Sequence, residues 1–329
     1  MQEKKLNIRS LTQAGIYVVI LAMLIYLSTF VPLNLIVNFA LPLLLAYVYI
    51  KYNFKYFSIT LLIAFIISVL SMDIASAILI FIMLLVISTT LGYCMKNNIK
   101  TTITFAVISV IGILFGILYF TVIIKIFMGM DYGALLNDIS KMFQSTINDA
   151  KKIYISNGMS QSQVNTLTDP LSEVFSKKSL ENLIPSMVII LSVLYSYIEC
   201  AIGVYSFKRM KLKVPSKIHF TKIHMHNLIV AFGIIGVCTG IIMDTFNIAY
   251  GEIIYTTALI IGQGALLICG ISLVINVLKN KVHINNALIV LIVIITLMFP
   301  ITAYGYAFLG LVDAFVDFRK VSLNSINKK

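Results

Sequence analysis

Long apolar runs separated by brief polar punctuation dominate this chain. They predict helices at about 11–31, 33–50, 56–72, 74–95, 101–128, 184–207, 225–244, 252–278 and 284–299, then a last one at about 301–318. Most approach the roughly 20 residues that carry an α-helix across a bilayer. Lipid offers the backbone no hydrogen-bond partners, so runs of this length select helices that satisfy themselves. The expected fold is all-α: a polytopic transmembrane helical bundle of about nine to ten spans.

Some stretches complicate that pattern. Pro32 and Pro42 are expected to break or kink the early helices, with Asn34 and Asn38 supplying polar partners near the first turn. The last apolar stretch has Lys279 and Lys281 before it and Arg319 and Lys320 after it. Either it turns back near Pro300 as a hairpin of short spans, or it forms one long tilted helix. Matching charge on both flanks favours the hairpin.

The one sizeable polar segment, 129–183, has six acids against five lysines and lacks the basic excess of an inside loop. It is expected outside the cytoplasm, as a helical insert. Leu135, Leu136, Ile139, Met142, Phe143, Ile147, Ala150 and Tyr154 recur at helical spacing, a stripe able to pack on the bundle or the lipid surface. Asn157-Gly158 should end that helix, and Asp169-Pro170 should cap the next. The chain thus divides into an N-terminal membrane bundle (1–128), an extracytoplasmic segment (129–183) and a C-terminal membrane bundle (184–329).

Composition agrees: 60% of residues are hydrophobic, 12% are charged, and mean hydropathy is +0.98. A net charge of +12 would suggest nucleic acid in a soluble protein, but the lysines and arginines fall in alternate loops and at the termini. That distribution puts both termini in the cytoplasm and leaves no reason to expect nucleic acid. Cys94, Cys200, Cys238 and Cys269 lie in or at the ends of apolar segments without metal-ligand spacing, so they are packing residues, and no metal or cofactor is expected. The first apolar run lacks a small-residue cleavage site and is expected to be a retained helix.

Few residues are placed for chemistry. Glu199, in "VLYSYIECAIGVY", lies about two turns inside the last charge of its span, with Ser192, Tyr195 and Gly203 on its face. A carboxyl at that depth should meet protein or a water-filled cavity. Gln263, between Gly262 and Gly264, is expected to pack against another helix, or else to line a polar cavity. Asp313 and Asp317 stand one turn apart on the last helix, where Arg319 could anchor them near water; the sharper alternative makes Asp313 a binding or coupling carboxylate.

Between 208 and 226, six cationic residues (Lys208, Arg209, Lys211, Lys213, Lys217 and Lys222) accompany three histidines. Such a cluster suits a bilayer with anionic headgroups. His224 and His226 would point to different faces, with no acid nearby in sequence to complete a metal site. Nucleotide-binding, esterase, metalloprotease and haem motifs do not occur, so neither an enzyme nor an ATPase is expected.

"FALPLLLAYVYIKYNFKY", "NLIPSMVIILSVLYSYI", "FKRMKLKVPSKIHF", the Gly-Gln-Gly span and the closing "LGLVDAFVDFRK" together resemble the YybS-like family of bacterial polytopic membrane proteins. The likeness covers nearly the whole chain, and Gly310, Asp313, Asp317 and Arg319 carry its most specific motif. It implies multi-pass placement in a bacterial cell membrane and brings no activity with it. The first half is also similar, more faintly, to the substrate-binding subunits of energy-coupling-factor transporters, through a short second helix with Pro42, "KYNFKY" and "SMDIASAIL". The spacing of Ala14 and Ala22, and the spans after residue 207, depart from that pattern. Two functional expectations result. One is a binder or carrier of a small-molecule solute; the other is a membrane scaffold engaging a partner membrane or cytoplasmic subunit.

Overall fold

The computed structural model describes residues 8–52, 54–216, 220–280, 282–316 and 318, and all regular structure among them is helical. The chain begins with α1 (Ile8–Ser28), α2 (Val31–Lys51), α3 (Phe54–Ser71), α4 (Ile74–Lys96) and α5 (Thr101–Leu118). A π-helical turn at Tyr119–Ile123 joins α5 to the short α6 (Ile124–Met128). Two polar helices follow, α7 (Tyr132–Ser156) and α8 (Gln161–Val174), and then the 33-residue α9 (Lys177–Arg209). After a 3-10 turn at Phe220–Lys222 come α10 (Asn227–Thr245), α11 (Gly251–Asn280), α12 (Asn286–Leu297) and α13 (Pro300–Val316).

Seven helices among the described residues are long and apolar enough to cross a membrane, or eight if α12 and α13 count as one span. The larger sequence-based number includes α1, apolar over Gly15–Ser28, and counts α12 and α13 separately. Those two bend by 114° at their junction, immediately before Pro300, where the turn was expected. The chain is an all-α, multi-pass membrane protein.

The helices group into two compact units, Met1–Tyr119 with Leu191–Ile218, and Phe120–Ile190 with His219–Lys329. In the first, Leu21, Leu41, Leu45, Phe57 and Leu61 form one buried cluster, while Ala46, Leu91, Met95, Ile108, Cys200 and Phe207 form another. Lipid tails are as apolar as these side chains, so close packing rather than water exclusion holds such helices together. Pro32 begins α2, and Pro42 lies buried inside it without breaking it. The expected interruption of the second helix is therefore absent. Proline has no N–H to offer the carbonyl four residues earlier. That carbonyl, of Asn38, instead accepts from the Tyr195 hydroxyl at 3.4 Å.

In the second unit, α7 and α8 form a hairpin. Ser140 donates to the Phe175 carbonyl (2.8 Å), Gln144 to the Ser172 carbonyl (2.7 Å), and Phe143 stacks on Phe175 at 4.0 Å. Along the stripe on α7, Leu136 and Ile147 are buried and Phe143 packs on the end of α8, while Met142 remains 71% exposed. Asn157 and Gly158 end α7 as expected, with Gly158 at a φ of +91°. Asp169-Pro170 does not start a helix. Ser160 and Gln163 form a reciprocal capping box at the start of α8, which satisfies the orphan N–H groups there, so Pro170 falls inside an established helix. The tightest packing joins α11 and α13, where a Cβ at Gly270 would strike the Tyr306 carbonyl and one at Gly310 the Leu266 carbonyl.

Candidate functional site

Residues 191–209 of α9 lie in the first unit among α2, α4 and α5. Leu191, Ser192 and Tyr195 share a cavity with Ile82, Met83 and Ile87 of α4, and a Cβ at Gly203 would lie 3.6 Å from Leu91. The two helices therefore run parallel. One turn before that contact stand Glu199 on α9 and Ser88 on α4, at the same height. α5 runs the other way: Gly112 abuts Ser192, and the Phe105 ring lies 6.5 Å from that of Tyr197.

Glu199 and Ser88 are both 0% exposed. Neither carboxyl oxygen of Glu199 nor the Ser88 hydroxyl has a hydrogen-bond partner among the described residues. Nearby hydroxyls are committed elsewhere. Ser196 donates to the Ser192 carbonyl at 2.7 Å, and Tyr195 is held by the Asn38 carbonyl and by stacking on Phe39 at 5.0 Å. Ser192 and Tyr195 line, with residues of α4 and α5, a cavity of about 440 Å³ that is otherwise apolar, and Glu199 stands one turn beyond Tyr195. That volume is in the range of small-molecule sites. A buried carboxyl with unused acceptors beside such a cavity can hold a donor, either a proton or a polar group on a solute.

Asn34 and Asn38 lie at the turn between α1 and α2. Asn34 donates to the Ser28 carbonyl and Asn38 to the Asn34 side chain, each at 2.7 Å, closing the turn between α1 and α2. Only the Asn38 backbone carbonyl joins the Glu199 layer, through Tyr195. The signal for this was Pro42, whose missing N–H frees that carbonyl.

Gln263 does not pack. It is exposed, and Gly262 and Gly264 have open space where a Cβ would stand. Asp313 is corrected as well. Instead of reaching toward water it is 0% exposed, and its carboxylate meets His224 Nδ1 at 3.4 Å. The pairing joins residues 89 apart in the chain, and helical spacing carries no signal for it. Ser272 holds the loop that presents His224 through its one hydroxyl proton, donated to the Phe220 carbonyl at 2.6 Å and shared with the Ile223 carbonyl at 3.1 Å. Gly310 serves the α11–α13 contact, while Asp317 and Arg319 lie outside the described residues.

Lys208, Arg209, Lys211 and Lys213 are exposed and make no ion pair among the described residues. Lys217 and the Lys222 side chain lie outside them. No group of three histidine, cysteine or acidic side chains able to hold a metal occurs among the described residues.

A family model described as "Predicted membrane protein (DUF2232)" matches residues 17–314. The chain belongs to this family. In this DUF2232 member the matched region contains the Glu199 layer, the cavity that Ser192 and Tyr195 line, and the His224–Asp313 pair. No curated protein and no solved structure matches the chain.

Proposed function

We propose that this protein binds or moves a small solute across the membrane, at a site built around Glu199, without an ATPase of its own. The observation that supports it is the carboxyl itself. It is wholly buried and lacks a hydrogen-bond partner among the described residues, one turn along α9 from Tyr195, which lines a cavity of about 440 Å³. An unsatisfied buried carboxyl costs stability, and intramembrane ionisable groups usually mark a solute or proton path. In this reading the chain is a YybS-like member that captures solute for, or shares a mechanism with, transport machinery. The basic helix ends face the cytoplasm and the α7–α8 hairpin faces outward. An impermeant lysine reagent on whole cells should then label Lys151 and spare Lys213.

The test is purification in mild detergent, mass spectrometry of copurifying small molecules, and uptake in proteoliposomes. A solute retained by the native chain and lost from Glu199→Gln, with both variants folded, supports the reading. Absence of any bound or transported solute, with Glu199→Gln fully functional in cells, overturns it.

A second reading, a scaffold or regulatory protein, draws on the exposed apolar side chains of the α7–α8 hairpin, among them Met142, Ile153, Leu167 and Leu171. Crosslinking through 129–183 or 208–226 to a stoichiometric partner, without solute capture, favours it.

A further inference from the structure

On another face of the first unit, α1, α2 and α9 enclose an apolar trough of about 640 Å³. Its floor is one stripe of α2, with Ile36, Ala40, Leu43 and Tyr47 at helical spacing. From Ile36 to Tyr47 the trough runs about 17 Å at 1.5 Å per residue. That is close to one leaflet's share, about 15 Å, of a 30 Å hydrocarbon core. Leu35 and Ile36 are 69% and 64% exposed, so the trough is open sideways at the end away from Tyr47.

The Tyr47 end is polar. Lys51 Nζ donates to the Tyr47 hydroxyl at 2.9 Å and lies 5.2 Å from the ring centroids of both Tyr47 and Tyr52. Tyr17, which lines the trough, packs edge-on against Tyr47 at 5.5 Å and against Tyr52 at 6.0 Å. No carboxylate stands within ion-pair distance of Lys51 among the described residues. Lysine carries three donors, and bonds to the Tyr47 and Tyr52 hydroxyls leave one for a ligand. Tyrosine and lysine at a span's end commonly anchor a helix in the interface, without any specific ligand. Here the rings and the hydroxyl hold one ammonium in place, and the apolar trough begins beneath the same Tyr47.

We propose that this trough binds a membrane lipid with an anionic headgroup, one acyl chain lying along α2 and the head phosphate on Lys51. The charge selects the head, since a zwitterionic lipid brings a cation toward an ammonium that no carboxylate among the described residues balances. The length and sideways opening of the trough select the tail. This site is independent of Glu199, because it uses the opposite set of lining residues and stands whether or not a solute is carried.

Native mass spectrometry of the full chain tests the proposal, after exchange into detergent with equimolar phosphatidylglycerol and phosphatidylcholine of the same acyl chains. The native chain should retain phosphatidylglycerol over phosphatidylcholine by about fivefold or more, the ratio expected from roughly 1 kcal/mol per cation. Lys51→Gln should bring the ratio near one while a lipid stays bound. Ala40→Trp, which fills the trough, should release both lipids. Phosphatidylglycerol bearing a diazirine in its tail should label α2 between Leu35 and Tyr47, which keeps the proposal testable if the tryptophan variant does not fold. Equal retention of the two lipids, an unchanged ratio in Lys51→Gln, or full competition by glycerol 3-phosphate lacking a tail would each overturn it. So would labelling that shows a second copy of the chain in the trough.

Discussion

Among the described residues, each unit of this protein buries one carboxyl completely, and the two are treated in different ways. In the second unit Asp313 meets a histidine on a loop that Ser272 ties down, beside a helix pair whose glycines allow backbone contact. In the first, Glu199 lies at the height of a serine that is also without a partner among the described residues, next to a cavity. Buried polar groups in folded proteins are almost always paired, and each exception calls for an explanation. A carboxyl that its own fold pairs with a histidine belongs to the architecture. One whose needs are left open beside a space of ligand size has something to receive.

Substitutions at four places in the fold can break or sharpen that contrast. The largest effect should come from Gly310→Ala or Gly270→Ala, whose added methyl meets a backbone carbonyl that cannot swing aside. Overpacking of this kind costs about 3 kcal/mol. Thermal unfolding in detergent should show a clear loss of stability, because separating α11 from α13 also dismantles the setting of Asp313. A tolerated alanine at both positions would mean that the contact is looser than described.

Next is Asp313→Leu. It leaves His224 facing an apolar side chain, at a cost of about 2 kcal/mol for a buried group that loses its partner. Double substitution with His224→Leu should recover much of that loss, since removing both members of a pair costs less than removing one. A single substitution with no effect on stability would put Asp313 in the same class as Glu199 and dissolve the comparison. Asn34→Ala should come third, losing about 1 kcal/mol with the bonds that close the α1–α2 turn.

The architecture was largely legible from the apolar pattern, because the backbone demand for internal hydrogen bonds leaves little choice once a run is long enough. Helix ends with local chemistry were legible too, as at Asn157-Gly158 and Pro300. Three things were not. Helical spacing cannot show that residues 191–218 fold with the first five helices, since that grouping depends on which apolar faces meet and all faces here are apolar. Pro170 carried the signature of a helix start, yet the capping box at Ser160 had already begun the helix. Asp313 resembled a headgroup anchor because Arg319 follows it closely, whereas its partner comes from a loop far away in the chain. Glu199 was the reverse case. Depth alone identified it, and only the structure could show how little surrounds it.

The smallest expected change in stability is therefore the most informative. Glu199→Met removes two buried oxygens that have no partner among the described residues and puts an apolar chain of similar length in their place. Such replacements are neutral or stabilising, here by about 1 kcal/mol, because no group is orphaned and an unfavourable burial is relieved. Glu199→Gln keeps shape and hydrogen-bonding capacity while removing the ionisable proton. If the carboxyl serves a solute or a proton, the methionine variant should be at least as stable as the native chain and inactive. The glutamine variant would then separate the two roles, failing completely where a proton must move and retaining partial binding where only an acceptor is needed. A methionine variant that unfolds several degrees earlier would place Glu199 with Asp313, as a structural carboxyl whose bonds form only in the assembled membrane protein.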